Sequence, residues 1–282
     1  MKLFLDCLPC LLRQVLEVSR RITDNIETQE KILIDSIKII SNYKKYRCAP
    51  LLAHKIHNIA KKYTGNFDPY YDIKKQDIKS AKQLYNNLLD FMEKQEDNLL
   101  AALKISATGN IIDSAVYSNL DIKSCIEVEL SKDFTICDID LFRKKLKTAK
   151  HIVILGDNSG ETVFDKILCE YLKDYNITYV VRSEPIINDA TVAEAEESGL
   201  NECARIISSG CGSPGVVLEM CNKEFLNIFH NADIVISKGQ GNYEALSNSK
   251  RGIFYLLKVK CHMVAKDTNS DINGYVFKYI EN

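Results

Sequence analysis

The stretch HIVILGDNSGE, residues 151–161, joins an apolar run of strand length to a polar loop framed by two glycines. The run is rich in Ile and Val, which predicts a buried strand. The segment that follows, ETVFDKILCEYLKDY (161–175), repeats its apolar residues at helical spacing. A buried strand that leads into a helix is the unit from which parallel α/β sheets are built.

The same alternation continues towards the C-terminus. Further apolar runs of strand length are ITYVVRS (177–183), ARIISS (204–209), ADIVIS (232–237) and IFYLLKVK (253–260). We therefore predict an α/β fold with a doubly wound, mainly parallel sheet covered by helices.

The N-terminal part has a different pattern, with apolar residues at helical spacing in 30–43 and 49–63. Residues 77–107 are long enough for two helices or one bent helix, and 138–150 forms a helix before the first strand. We predict a helical domain over residues 1–125 and an α/β domain over residues 126–282.

Composition restricts the possible partners. The 282 residues carry 37 basic and 38 acidic side chains, so the charge gives no reason to expect nucleic acid or a membrane surface as a partner. No apolar run reaches the 18 residues of a membrane span, and Asp6 and Pro9 interrupt the apolar N-terminus, which makes it a poor signal peptide. Ten scattered cysteines predict a reduced, cytoplasmic protein with mostly buried thiols.

Oxygen-bearing side chains follow the first two strands of the predicted sheet. Asp157 and Asn158 follow the first strand, and Asp189 follows the second. Ligands of open parallel sheets bind at the carboxyl ends of the strands, and hard cations such as Mg²⁺ or Mn²⁺ take carboxylate and amide oxygens. A metal site is one interpretation; the other is that Asp157 or Asp189 caps the following helix.

The stretch SKGQGN (237–242) follows a later strand and places Lys238 beside a glycine-rich turn. A lysine and free backbone N–H groups suit a phosphate, although an ordinary strand-to-helix turn has the same composition. The chain has no GxGxxG, GxxxxGK[ST] or GxSxG motif, and the GDNSG segment (156–160) after the first strand lacks the DxD motif of aspartyl-phosphate phosphatases.

Several short motifs, in this order and spacing, resemble the DUF89 family of metal-dependent damage-control phosphatases. They are the N-terminal CLPC (7–10), DPY…K (68–74), TGNIIDSA (108–115), GDNSGE (156–161), NDAT (188–191) and SKGQGNYE (237–244). The resemblance covers nearly the whole chain, and the CxxC and the short length are similar to the prokaryotic branch of the family.

The resemblance implies an N-terminal helical part packed on a Rossmann-like domain, and hydrolysis of small phosphorylated metabolites with Mn²⁺, Mg²⁺, Co²⁺ or Ni²⁺. It assigns the metal ligands to Asp157, Asn158 and Asp189, and phosphate binding to Lys238. Further positions that match family motifs near the substrate are Asn110, Asp113, Gly239, Gly241 and Asn242. Glu161 and Glu244 match acidic positions with a catalytic or supporting role.

Some alternatives stay open at this stage. The nucleophile is either a metal-activated water or a carboxylate, with Asp157 as the candidate. An S-adenosylmethionine-dependent methyltransferase and a non-catalytic metabolite-binding module are the rival functions. Cys7 and Cys10 are interpreted as small buried residues of the core; the alternative is a second metal site completed by Cys48, or by Cys261 with His262.

Overall fold

A computed structural model describes residues 1–111 and 122–282. The helices are α1 (Cys7–Ile22), α2 (Ile26–Ile40), α3 (Ala49–Thr64), α4 (Tyr71–Glu93), α5 (Asn98–Thr108), α6 (Ile122–Leu130), α7 (Ile139–Leu146), α8 (Glu161–Tyr171), α9 (Val192–Glu197), α10 (Lys223–Asn231), α11 (Gly239–Leu246) and α12 (His262–Thr268). The strands are β1 (Phe134–Cys137), β2 (His151–Leu155), β3 (Asn176–Val181), β4 (Arg205–Ser208), β5 (Ile234–Lys238), β6 (Ile253–Lys258) and β7 (Tyr275–Ile280).

The seven strands form one sheet in the order β1-β7-β6-β5-β2-β3-β4. All neighbouring pairs are parallel except β6 and β7. From β2 the chain builds outwards through β3 to β4, then returns to β5 on the other side of β2 and continues to β6. The point where the order reverses lies between β2 and β5, and ligands of doubly wound sheets bind in the crevice at such a point.

Both faces of the sheet are buried, because alternate residues of each strand enter different cores. Val153 and Leu155 pack with α10, α11 and α12 on one face, whereas Ile152 and Ile154 pack with α5, α7 and α8 on the other. This two-sided burial explains why the central strands read as continuous apolar runs. The predicted α/β fold with a mainly parallel sheet is confirmed.

The helices of the N-terminal part have two different places in the fold. Helices α1, α2 and α3 pack on one another around a core that includes Val15, Ile32 and Ile56. Helix α5, in contrast, contributes Leu99 and Leu103 to the core under the sheet. The division into domains 1–125 and 126–282 stays a prediction.

Most predicted elements occur within a few residues of their expected places, and residues 77–107 contain parts of two helices, α4 and α5. The sequence did not predict strands β1 and β7. β1 has only four residues of alternating exposure, and β7 is the antiparallel neighbour of β6 rather than part of the strand–helix alternation. In the part of the chain that the structure describes, no helix is long and apolar enough to cross a membrane.

Candidate active site

The site lies where β2 and β5 end side by side. Asp157 follows β2, and Gly239 begins α11 directly after β5. Gly239 has φ +74°, and a Cβ placed on it would lie 1.9 Å from Asp157 Oδ2. Only glycine therefore fits here, both for the left-handed backbone and for the close approach of the carboxylate.

The loop after β2 is tied to the loop after β3 by backbone contacts. The amide of Ala190 donates to the Asp157 carbonyl at 2.8 Å, and Asn158 pairs with Asp189 in an isolated antiparallel bridge. Ser159 donates to the Asn188 carbonyl through its amide at 2.8 Å and its hydroxyl at 2.9 Å. These contacts bring together the three predicted metal ligands, Asp157, Asn158 and Asp189.

Arg182, the residue after β3, donates hydrogen bonds to the carboxylates of both Asp157 and Asp189. Its Nε donates to Asp189 Oδ2 at 2.6 Å and its Nη2 to Asp157 Oδ1 at 3.4 Å, while Nη1 donates to Asn242 Oδ1 at 3.0 Å. The guanidinium is 1% exposed. Asn242 also accepts from Val216 N at 2.8 Å and donates to the Gly156 carbonyl at 3.0 Å, so its whole amide is engaged in fixing the loops.

The donor set fits a hard divalent cation. The Asn158 amide nitrogen donates to Glu161 Oε1 at 3.1 Å, which leaves its carbonyl oxygen available as a ligand beside the two carboxylates. Burial, together with the negative charge of Asp189, raises the pKa of Asp157 to about 7 despite Arg182. Burial likewise raises the pKa of Asp189. A bound cation would stabilise both ionised forms and so reverse these shifts.

Lys238 lies outside the cleft and is 1% exposed. Its ammonium donates to Asp165 Oδ1 at 2.5 Å, Glu161 Oε2 at 3.0 Å and the Ser106 carbonyl at 3.0 Å. An ammonium has three protons, so these contacts use its full capacity. Burial lowers the pKa of Lys238, but the carboxylates of Asp165 and Glu161 outweigh it and raise the pKa above the ordinary value. Direct contact of Lys238 with a phosphate stays a prediction.

The other predicted residues occupy different places around this centre. Glu161, at the start of α8, accepts from Asn110 Nδ2 as well as from Asn158 and Lys238, and burial raises its pKa to about 7 against the opposing charge of Lys238. Gly241 lines the cleft. Asp113 lies outside the described residues.

A cleft of about 510 Å³ opens beside the three predicted metal ligands. One wall comes from α1 and α3, and another from α11 and the segment after β6. Lys260 lies on this second wall with its side chain exposed, and its positive charge lowers the pKa of both Asp157 and Asp189. The cleft thus contains a solvent-accessible cation that faces the carboxylates.

The interpretation of Cys7 and Cys10 as buried core residues is wrong. Cys7 is half-buried, Cys10 is exposed, and both line the cleft together with Cys261 and His262. Within residues 1–111 and 122–282, no three His, Cys, Asp or Glu side chains come close enough to hold a metal ion. This finding disfavours the second metal site at the cysteines. It does not apply to the oxygen site described above, because that site has two carboxylates and takes its third donor from the amide of Asn158.

The cysteines as a group are less buried than expected. All ten are free thiols; Cys48, Cys169 and Cys211 are buried, and the other seven are half-buried or exposed. The prediction of mostly buried thiols is therefore wrong, because several cysteines lie on helix faces and strand ends that border the cleft or solvent.

Sequence reasoning missed three charged residues of the site. Arg182 and Asp165 could have been found from the sequence. Arg182 is a charged residue at the end of an apolar strand, and Asp165 lies four residues after Glu161 on the same face of α8. Lys260 carried little signal, because a lysine after a strand is ordinary at the protein surface.

A doubly wound fold with paired carboxylates and a cleft at its reversal point belongs to the class of α/β proteins that bind small ligands at the carboxyl ends of their strands. The family model of the damage-control phosphatase ARMT1-like domain matches residues 3–274. The chain therefore belongs to this family, also called DUF89, and the predicted resemblance is confirmed.

Individual relatives agree with this assignment. An uncharacterised protein of Methanocaldococcus jannaschii is 33% identical, over 96% of this chain and 93% of that protein. A damage-control phosphatase of Pyrococcus horikoshii is 32% identical, over 95% of this chain and 94% of that protein. The crystal structure of a DUF89 family protein from Pyrococcus horikoshii matches with a TM-score of 0.90 and 30% identity, covering 98% of both chains.

Proposed function

We propose that this protein is a metal-dependent phosphatase that hydrolyses small phosphorylated metabolites. The observation that carries the proposal is the convergence of Asp157, Asn158 and Asp189 at the reversal point of the sheet, next to a cleft of about 510 Å³. Two carboxylates and one amide leave coordination positions for water and a substrate oxygen. The names of two relatives, damage-control phosphatases, support the same activity.

A divalent cation held by these three residues would neutralise phosphate charge and lower the pKa of a bound water. The residues of the chain supply the other requirements of phosphoryl transfer, which are alignment and further charge neutralisation. Arg182 fixes the directions of Asp157 and Asp189 through hydrogen bonds to one oxygen of each. Lys260 and the N-terminus of α11 contribute positive potential from the other wall of the cleft.

Lys238 has a positioning role in this proposal. Its ammonium orients Glu161, which in turn accepts from the Asn158 amide and so directs the Asn158 carbonyl oxygen towards the cation site. The anion-binding lysine of the cleft is then Lys260, and the geometry favours it over Lys238 for contact with the phosphate.

The rival functions have less support. A methyltransferase needs a cofactor pocket next to a glycine-rich first loop, whereas the loop after β2 carries Asp157 and Asn158. A non-catalytic binding module gives no reason for paired carboxylates whose charges repel each other.

The test is metal-dependent release of phosphate from p-nitrophenyl phosphate, with Mn²⁺ binding measured by calorimetry. We expect activity to disappear with EDTA and return with Mn²⁺. Asp157→Asn and Asp189→Asn should each weaken Mn²⁺ binding by at least the ~10–100-fold that loss of an outer-shell partner costs. Asp174→Asn, at an exposed position after α8, is the matched control. Activity that resists EDTA, or full activity of both variants at limiting Mn²⁺, would contradict the proposal.

A further inference from the structure

Glu244 is a carboxyl group of the cleft that has no role in metal binding or phosphate binding in the proposed function. It lies on α11, on the same helix face as Gln240 and Gly241, and all three line the cleft. Among the residues that the structure describes, the other carboxyl groups on the cleft wall are the two predicted ligands and the exposed Asp6. Among them, Glu244 alone combines partial burial with a place outside the metal-ligand set.

The position of Glu244 is fixed by one side chain. Gln240 Nε2 donates to Glu244 Oε1 at 2.9 Å, while Gln240 Oε1 accepts from the backbone amide of Lys260 at 3.1 Å. Gln240 Nε2 also approaches Cys261 Sγ at 3.5 Å. This network connects Glu244 to the segment that carries Lys260, so the carboxyl and the exposed cation are held on one wall.

The distance along α11 suits a group that acts on the far end of a phosphoester. Gly239 contacts the Asp157 carboxylate at the start of the helix. Glu244 is five residues further on, which corresponds to about 7.5 Å along the helix axis. A phosphoryl group beside Asp157 can therefore extend its ester oxygen along this wall towards Glu244.

We propose that Glu244 is the general acid that protonates the leaving oxygen of the substrate; this inference rests on the proposed phosphatase function. The P–O ester bond breaks and its electron pair goes to the bridging oxygen, which takes the proton of Glu244 and leaves as an alcohol. The oxygen of water forms the new P–O bond, and both protons of that water leave with the product as dihydrogen phosphate. Glu244 then regains a proton from solvent.

The surroundings of Glu244 suit this role. Burial raises its pKa to about 7, with a contribution from Asp157, against the hydrogen bond from Gln240 and the terminal ammonium of Met1, which donates to the Glu244 carbonyl at 2.9 Å. A general acid works best with a pKa near the working pH.

Among the described residues, further titratable groups that line the cleft with Glu244 come from α1 and from the segment after β6. They are Cys7, Cys10, Lys260, Cys261 and His262. Burial raises the pKa of the Cys7 and Cys10 thiols, so both are neutral at pH 7 and give Glu244 a weakly polar wall.

Two substrates that differ only in the need for a proton test the inference. p-Nitrophenolate leaves without protonation, whereas the alkoxide of glycerol 2-phosphate does not. For Glu244→Gln we expect kcat on glycerol 2-phosphate to fall by ~10²-fold or more, the lower end of general-acid contributions, and kcat on p-nitrophenyl phosphate to change little. Glu17→Gln is the matched control, because Glu17 is exposed on α1 and does not line the cleft, and it should change neither.

The pH profile gives a second readout. The acid form of Glu244 is the active one, so kcat of the wild-type protein on glycerol 2-phosphate should fall as pH rises through about 7, and Glu244→Gln should lose this limb. Glu244→Asp, which keeps a carboxyl group, should restore part of the activity. In metal-free protein labelled with ¹³C-glutamate, the carboxyl signal absent from Glu244→Gln should titrate near 7.

Equal losses on both substrates, or no loss on either, would overturn the role of Glu244 while leaving the phosphatase proposal intact. Wild-type protein that hydrolyses neither substrate with any divalent metal would overturn both.

Discussion

Replacing Lys238 by Met should expose the energetic role of the buried ion-pair cluster. The ammonium and its two carboxylate partners, Glu161 and Asp165, are each 2% exposed or less. Met keeps the length of the side chain but leaves two buried carboxylates without their cation. Removing one partner of a buried ion pair typically destabilises a protein by about 3–5 kcal/mol. We expect a loss of this size in the free energy of unfolding at pH 8.

The loss should depend on pH in a defined direction. Burial already raises the pKa of Glu161 from 4.5 to about 7 with the ammonium present, and removing Lys238 raises it further. The folded state then binds more protons than the unfolded state across this window, so the stability of the variant increases as the pH falls towards 5. The difference from the wild-type protein should therefore be smaller at pH 5 than at pH 8.

Urea unfolding followed by circular dichroism, in EDTA, measures both effects. Lys31→Met is the matched control, since Lys31 forms an exposed pair with Glu27 at 2.7 Å and its loss should leave the midpoint unchanged. Unfolding free energies of Lys238→Met within error of the wild-type values at pH 8 would refute the buried-pair reasoning. They would favour a Lys238 that is free to contact phosphate.

Two further variants probe the site itself. Gly239→Ala should lower the thermal unfolding midpoint and weaken Mn²⁺ binding in calorimetry, because its Cβ would lie 1.9 Å from Asp157 Oδ2. Gly65→Ala is the control, since Gly65 also has a positive φ of +68° but nothing lies within 4 Å of its Cβ. This control should cost only the backbone strain of ~1–2 kcal/mol and leave Mn²⁺ binding unchanged. Lys260→Ala should reduce kcat/KM for p-nitrophenyl phosphate by ~10²-fold with little change in Mn²⁺ affinity. Lys266→Ala, on the exposed face of α12, is the control and should leave kcat/KM unchanged. Equal kcat/KM in the two variants would exclude Lys260 as the phosphate-binding cation.

The edge of the sheet that carries the site could be predicted from sequence because one rule of topology is sufficient. The carboxyl ends of parallel strands meet at one edge, so residues that follow apolar runs gather there. Asp157 and Asp189 are 32 positions apart in the chain and are held by the same guanidinium. No side-chain detail was needed to expect them together.

The direction of individual side chains could not be predicted in the same way. Lys238 ends β5, and the same rule places its backbone at the edge, but its ammonium contacts Ser106 and Glu161, which are 132 and 77 positions away. Which face of the strand the side chain takes depends on these distant partners. Similarly, the partly exposed thiols of Cys7 and Cys10 depend on how α1 meets the cleft, which local pattern does not encode.

The contacts of Arg182 bear on how the protein behaves when metal is scarce in the cell. In many metalloproteins the ion itself is what allows like charges to be brought together, so the chain without metal is unfolded. Here a guanidinium of the chain already donates hydrogen bonds to both carboxylates, and its positive charge offsets part of their repulsion. We therefore expect the protein to accumulate in folded form during metal starvation and to act as a reserve that becomes active when the ion returns, without new synthesis or refolding.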